Sequence, residues 1–450
     1  MSLPCTPWFD SGTPDTRAWP PPSGLALGAA MRDVRARDRH GDAIHLAAAI
    51  AFAFLVPLGQ APASIGLALL FTIALIRGVV FPVLFTPLLR WPPLWLGLAW
   101  VAWSAASSMW SPVGGDSLKV LSPQRVLLAA VALFPMLDRV RLIAWALVCG
   151  VGCNAMVQVL QSFGWLHVDD RPTWRPAGFA GLPAVAAINA GIALLLGLSL
   201  IVGVRISARV ALGVLISISA AGLVLTSSRH PTIALVFALP FLPLLLVIGG
   251  HVQLRAALKG AAMFLLVAVA SLIAFGQDFL PYLEAAQRDV RAALRGEAGF
   301  SSIHARLFWW QLGIEEWLAH PIAGGGLSSF RGFVELHPST FVFVAESGIS
   351  LDEVLQKHPH SSYVRALAET GIVGFALLVG LVFACMRSGL LMLGRDPMIV
   401  GAVVSTMFVA LATAGECIEL MNVAYAPAVI AVTLAAAPRW DGCGLPTRRV

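Results

Sequence analysis

Residues 301–330 read SSIHARLFWWQLGIEEWLAHPIAGGGLSSF, and residues 358–374 read HPHSSYVRALAETGIVG. Long apolar segments flank this region on both sides. It is the longest place between those segments where charged and hydrogen-bonding side chains are kept together. A chain arranged this way commits most of its length to a solvent without hydrogen bonds and reserves one substantial segment for water.

Composition agrees. Of the 450 residues, 58% are hydrophobic and only 12% are charged, and the mean hydropathy is +0.82. No soluble domain carries that balance, so the class is an all-α polytopic membrane protein. A β-barrel requires alternating apolar and polar residues, whereas these runs are continuous and rich in Leu, Ala and Val. The formal net charge of +6 sits in short connections between apolar runs. That is the mark of topology, and no nucleic-acid partner is expected. The six cysteines (Cys5, Cys149, Cys153, Cys385, Cys417 and Cys443) fall in or beside apolar runs or in the tails. Neither a disulfide framework nor a cysteine zinc site is expected from them.

Residues 1–42 are Pro-rich and then charged, with MRDVRARDRHGD at 31–42. They resemble neither a signal peptide nor a packed domain and read as a disordered cytoplasmic tail, with Met31 as a second candidate start. Hydropathy then places spans at Ala43–Leu58, Ala61–Phe81, Leu94–Trp110, Pro123–Leu137, Arg141–Phe163, Ala184–Val204, Ala208–Thr226, Thr232–Ile248 and Gly260–Phe275. After the polar region come Tyr363–Met386, Met398–Cys417 and Met421–Ala437, about twelve helices in all. The expected division is therefore the tail 1–42, spans one to nine within 43–275, a mainly helical loop domain 276–362, spans ten to twelve within 363–438, and a tail 439–450.

Lys and Arg orient these spans. Arg77 and Arg90, Arg139 and Arg141, Arg205 and Arg209, Arg255 and Lys259, and Arg387 and Arg395 fall in every second connection. Arg439, Arg448 and Arg449 follow in the last tail. By the positive-inside rule both termini are cytoplasmic and the large loop lies outside, in the periplasm of a Gram-negative host. Lys119 and Arg125 flank a short outer connection and carry no reading. Arg171 and Arg175 occupy the next one, and Arg229 stands in the tight outer turn TSSRHPT. Arg288, Arg291, Arg295, Arg306, Arg331, Lys357 and Arg365 belong to the large loop or its return. Arginines on the outer side run against the topological bias, and a bound anion is the obvious cause.

Within the loop, Arg288, Arg291 and Arg295 share one helical face, which reads equally well as a solvated basic face. Ser301 and Ser302 are candidate caps of a helix through Leu318, ended by His320-Pro321 and Gly324–Gly326. Arg306 and Trp310 lie one turn apart on it. Phe341–Val344 reads as a membrane-surface segment. Ser361 or Ser362 caps the helix that re-enters the bilayer. His360 directly precedes that cap, where the helix dipole disfavours the imidazolium, as a general base requires. The residues alone leave other readings open: an ordinary interfacial histidine, a metal pair with His358, or His337 or His358 in its place. The doublets Asp169–Asp170 and Glu315–Glu316 read as solvated faces. There is no phosphate-binding loop, nucleophile elbow, His-Glu-x-x-His helix or dinucleotide fingerprint.

Taken together, several runs carry a resemblance. They are Arg306 with Trp310; His320-Pro321 with Gly324-Gly325-Gly326-Leu327 and Phe330; and His360-Ser361-Ser362-Tyr363 with Ala368-Glu369-Thr370-Gly371-Ile372-Val373-Gly374. In order and spacing this resembles the signature region of the O-antigen ligase and polymerase superfamily (Wzy_C). Leu225-Thr226-Ser227-Ser228-Arg229 is similar to that family's Ser-Arg turn, and Arg175-Pro176-Ala177-Gly178-Phe179 with Pro183 to its outer Arg…Gly…Pro segment. The overall layout looks most like the lipopolysaccharide O-antigen ligases. One departure is Ser361, where the family often places an asparagine after the histidine.

The resemblance implies a GT-C-like glycosyltransferase of the bacterial inner membrane with its active site facing the periplasm. It implies transfer of O-antigen glycan from undecaprenyl diphosphate to a sugar hydroxyl of lipid A–core, inverting and without metal, nucleotide or other cofactor. On these residues, His360 would be the base, Arg229 and Arg306 would hold the diphosphate, and Arg175 would be a third ligand. Guanidinium suits that task because it grips phosphate oxygens bidentately. Close alternatives are an O-antigen polymerase and a protein O-oligosaccharyltransferase. A lipid-linked glycan flippase or transporter is the reading from another class, disfavoured by nearly charge-free spans and the absence of an evident inverted repeat.

Overall fold

The computed structural model describes residues 24–168, 175–260, 302–347, 350–355, 358–417 and 422–435, with isolated positions between 261 and 300. Every regular element among the described residues is helical. In chain order they are α1 (Gly24–Arg37), α2 (Arg39–Leu55), α3 (Gln60–Val80), α4 (Pro92–Ala106), α5 (Leu128–Leu133), α6 (Val140–Ser162), α7 (Pro183–Leu200), α8 (Ile206–Leu225), α9 (Arg229–Ala238) and α10 (Phe241–Ile248). The polar region supplies α11 (Ser302–Ala319), α12 (Ser329–Leu336), α13 (Pro338–Ser347) and α14 (Leu351–Val354). Then come α15 (Ser362–Leu390), α16 (Pro397–Ala412) and α17 (Asn422–Ala435).

Seven helices among the described residues are long and apolar enough to cross a membrane, with Pro397–Ala412 and Ala426–Ala435 as shorter apolar ones. The expected count of about twelve is not reproduced, for identifiable reasons. The expected spans at Pro123–Leu137 and Arg141–Phe163 fall in one helical stretch, Leu121–Ser162, interrupted by a 3₁₀ segment at Phe134–Arg139 that contains Pro135. The α4 helix is only 15 residues long. Almost all of the span expected at Gly260–Phe275 lies outside the described residues. At the centre α7 is apolar on all sides and buried along nearly its whole length, as a helix enclosed by other helices must be. It packs against α6, α8 and α16.

The expected tail is, from Gly24 onward, helical. Its charges are matched by partners far away in sequence. Arg77 donates to Asp38 at 2.9 Å and to His45 Nδ1 at 3.0 Å, and Asp42 accepts from Arg139 and Arg77. Arg35 donates to Asp138 at 2.6 Å and to the Pro135 carbonyl. Because an arginine can only donate, His45 Nδ1 is the acceptor, and Nε2 carries the proton that goes to the Ala132 carbonyl at 2.9 Å. Arg77 and Asp42 are nearly fully buried, so loss of either partner would strand a charge.

The polar helices dock on a broken helix. Inside α15, Gly371 has φ 67° and ψ −169°, which interrupts the helical ladder and frees the carbonyls before it. These are taken up from outside: Gly325 N donates to Ala368 O at 2.8 Å and Gly326 N to Glu369 O at 3.0 Å. The Trp103 indole donates to Thr370 O at 2.9 Å, and Ile372 N donates to Pro321 O at 3.0 Å. Gly324 and Gly371 both have positive φ, and a Cβ on Gly371 would stand 2.2 Å from Ile322 O. The glycine triplet and the Gly371 break are thus two halves of one joint. Beneath it Arg365 pairs with Glu369 at 3.0 Å, one helical turn on. Nearby Glu316 is buried and accepts from Ser329 Oγ. Burial pushes its carboxyl up to about 8, against the pull of Ser329 and with a further push from Glu369.

Two outcomes are expected. Gly371→Ala should cost about 2 kcal/mol or more from positive φ and the backbone overlap, while Gly380→Ala in the same helix, where a Cβ meets only Leu96 at 3.8 Å, should not. Thermal unfolding of the purified protein checks this. For Glu316 the folded state keeps a proton that the unfolded chain releases between pH 4.5 and about 8. Stability should therefore fall as pH rises through that window, at up to about 1.4 kcal/mol per unit. Glu316→Gln should flatten the dependence; an unchanged slope would refute the assignment.

Candidate active site

The site is assembled where the α8–α9 turn, α11, the start of α15 and the end of α16 meet. Ser361 is the N-cap of α15, its Oγ accepting from Val364 N at 3.3 Å. The residue before it, His360, has φ 51°, a left-handed conformation that a non-glycine residue holds only when its surroundings impose it. Those surroundings are specific. The His360 ring stacks on Trp309 with centroids 5.2 Å apart. The Trp310 indole donates to Pro359 O at 3.0 Å and that of Trp309 to Val354 O at 3.0 Å. His360 N donates to His358 Nδ1 at 3.3 Å. Burial drives His358 down to about 3, with His360 and Arg365 adding to it. His358 is thus a neutral acceptor at Nδ1 and serves to shape this loop.

Facing His360 is a carboxylate that the sequence reading passed over. Glu416 follows the C-terminus of α16 and is 5% exposed. Its Oε1 accepts from Arg306 Nη2 at 3.0 Å, and its Oε2 stands 3.6 Å from His360 Nδ1. Its backbone carbonyl accepts from Ser362 Oγ at 3.0 Å. Burial alone would raise the Glu416 carboxyl, but His360, Arg306 and His230 together hold it below its ordinary range. The buried Nδ1 of His360 has no hydrogen-bond partner among the described residues, so a closing of a few tenths of an ångström would complete an imidazole–carboxylate hydrogen bond.

Arg229 is the first residue of α9, and its side chain is exposed. The turn before it is tight: Ser227 has φ 50°, Ser228 N is received by Thr226 Oγ1 at 3.3 Å, and Thr232 Oγ1 donates to Ser228 O at 2.9 Å. Arg175 joins that turn, its Nε donating to Thr226 O at 3.2 Å. Of the residues expected at the site, Arg306 and His360 therefore meet on one carboxylate, and Arg175 meets the turn that carries Arg229. His230, not singled out from the sequence, links the two groups from α9. Arg171 and Arg295 lie outside the described residues. Arg288 and Arg291 are isolated helical positions with exposed side chains.

An apolar cavity of about 390 Å³ approaches the site between α4, α15 and α17, walled by Leu98, Val101, Leu378, Val382 and Val409. Ser362 and Thr413 contribute polar lining to it, and Ser362 is the residue that bonds the Glu416 carbonyl. No cluster of His, Cys, Asp or Glu among the described residues is arranged to hold a metal ion. The assembled groups are the guanidiniums of Arg306 and Arg229, an imidazole against a carboxylate, and an adjoining apolar cavity.

Glu416 carried a signal. It falls at the end of the apolar run Met398–Cys417, where an ionisable residue is rare without a function or a partner. His230 carried none beyond its place beside Arg229.

Comparison with known proteins agrees with the geometry. Residues 212–379 match the O-antigen ligase family model, Wzy_C. No curated protein matches the chain. The matched segment contains Arg229, Arg306, His360 and both halves of the glycine joint, while Arg175 and Glu416 lie outside it. The match supports membership of the O-antigen ligase/polymerase family, whose members are glycosyltransferase-like enzymes.

Proposed function

We propose that the protein is an O-antigen ligase. It moves a glycan from undecaprenyl diphosphate to a sugar hydroxyl of lipid A–core, at the periplasmic face of the inner membrane. The observation that carries this reading is the convergence of Arg306 and His360 on the two oxygens of Glu416. An anion-gripping group and a proton acceptor stand together there.

In the proposed reaction the acceptor hydroxyl attacks the anomeric carbon from the face opposite the diphosphate. The new C–O bond forms as the bond from that carbon to the phosphate oxygen breaks, which inverts the centre. The hydroxyl proton passes to His360, and the bonding electrons leave with the diphosphate. Arg229 and Arg306 meet that charge; oriented guanidiniums do so without needing a metal ion. Glu416 keeps a proton on His360 Nδ1, so that Nε2 is the accepting atom, the logic of any base steadied by a third group. Arg175 supports the turn beneath Arg229. The apolar cavity beside Ser362 has the chemistry to take the hydrocarbon of a lipid substrate.

Purified protein with a lipid-linked donor should transfer to lipid A–core and not to a second lipid-linked unit or to a pilin. Transfer to the second lipid-linked unit instead would make the protein a polymerase. His360→Ala should lower turnover by about 10²–10⁴-fold with donor binding largely retained, and a normal rate would remove His360 as base. Arg306→Lys should lower it by roughly 10–100-fold, since a point charge cannot reproduce the fork. Chelation of divalent cations should change nothing; loss restored by one metal would sink the arginine model. Glu416→Gln keeps shape and loses charge, and should cost about as much as His360→Ala.

A further inference from the structure

We propose that His230 is a positioning residue that fixes Glu416, and through it the Arg306–His360 arrangement; the proposal rests on the function given above. The evidence is a chain of contacts. His230 Nε2 lies 3.3 Å from Leu411 O and 3.1 Å from Ala412 O. Both partners are carbonyls, so Nε2 carries a hydrogen and donates. These carbonyls end α16 and lack partners in a continuing helix. They also receive Ala414 N and Gly415 N, each at 3.2 Å, in the turn that delivers Glu416. The imidazole thus clamps the two acceptors on which that turn is wound.

The clamp is close. A Cβ on Gly415 would stand 2.4–2.5 Å from Cε1, Nδ1 and Nε2 of His230, so the ring occupies the space that any other residue at 415 would need. Glu416 is the next residue. His230 is also within electrostatic reach of Arg306 and Glu416. Since His230 follows Arg229 directly, the contact holds the Ser-Arg turn at a fixed distance from the carboxylate. A residue that only filled space would need neither the donated proton nor the bare glycine opposite it.

The test uses the full-length protein with two readouts. In transfer assays His230→Ala should lose roughly 10–100-fold, as expected for a displaced supporting contact, and His230→Gln, which keeps an N–H donor, should recover most of it. Gly415→Ala should also be impaired, and adding it to His230→Ala should cost little more, because the clashing ring is gone. The second readout needs no reaction: amide exchange across residues 411–417 should accelerate in His230→Ala and return toward the parent rate in His230→Gln. Unchanged exchange in His230→Ala, or independent multiplying losses in the double variant, would overturn the proposal. If the parent protein transfers no glycan while exchange responds as expected, it is the functional reading that fails and the clamp that stands.

Discussion

A carboxylate removed from water must be met by positive charge or hydrogen bonds, or it takes up a proton. Glu416 is such a carboxylate, and the way it is met explains how distant parts of the chain come together. Arg306 arrives from α11, His360 from the loop before α15, and His230 from α9. Its backbone is tied to the start of α15 by Ser362. Each contact is modest. Together they favour the ionised form of a group that burial pushes toward the neutral one, and they bring three segments to one point.

The joint at Gly371 serves the same end at larger scale. An uninterrupted α15 would satisfy its own carbonyls and offer nothing for the polar helices to hold. Breaking it frees acceptors at Ala368, Glu369 and Thr370, which bind the glycine triplet and Trp103. The N-terminal half of α15, with Ser361 and His360 at its head, is thereby fixed against α11. Two positive-φ glycines face each other there because neither backbone leaves room for a side chain.

How much of this could be read from the residues alone varied with the range of the forces involved. Hydropathy is local, so helical class and a polar insert between apolar runs were plain, although the count of spans was blurred where helices kink or fall short. The resemblance pointed to Arg229, Arg306 and His360, but not to why the glycines accompany them. The helix and ion pairs of the charged stretch before α2 were not legible because its partners lie about a hundred residues away, as with Arg35 and Asp138. The pair of Arg365 and Glu369 was legible, since the two stand one helical turn apart. Glu416 was hidden inside an apolar run, and its meaning depends on groups that only the fold brings to it.

One consequence of the shared carboxylate concerns timing. Arg306 and His360 divide a single negative charge, so any phosphate that draws the guanidinium toward itself leaves more of that charge to the imidazole. In the proposed reaction, arrival of a donor and readiness of His360 to accept a proton would then be linked thermodynamically, each favouring the other by the same free energy. On that proposal an empty site would hold its base in check, and a filled one would release it.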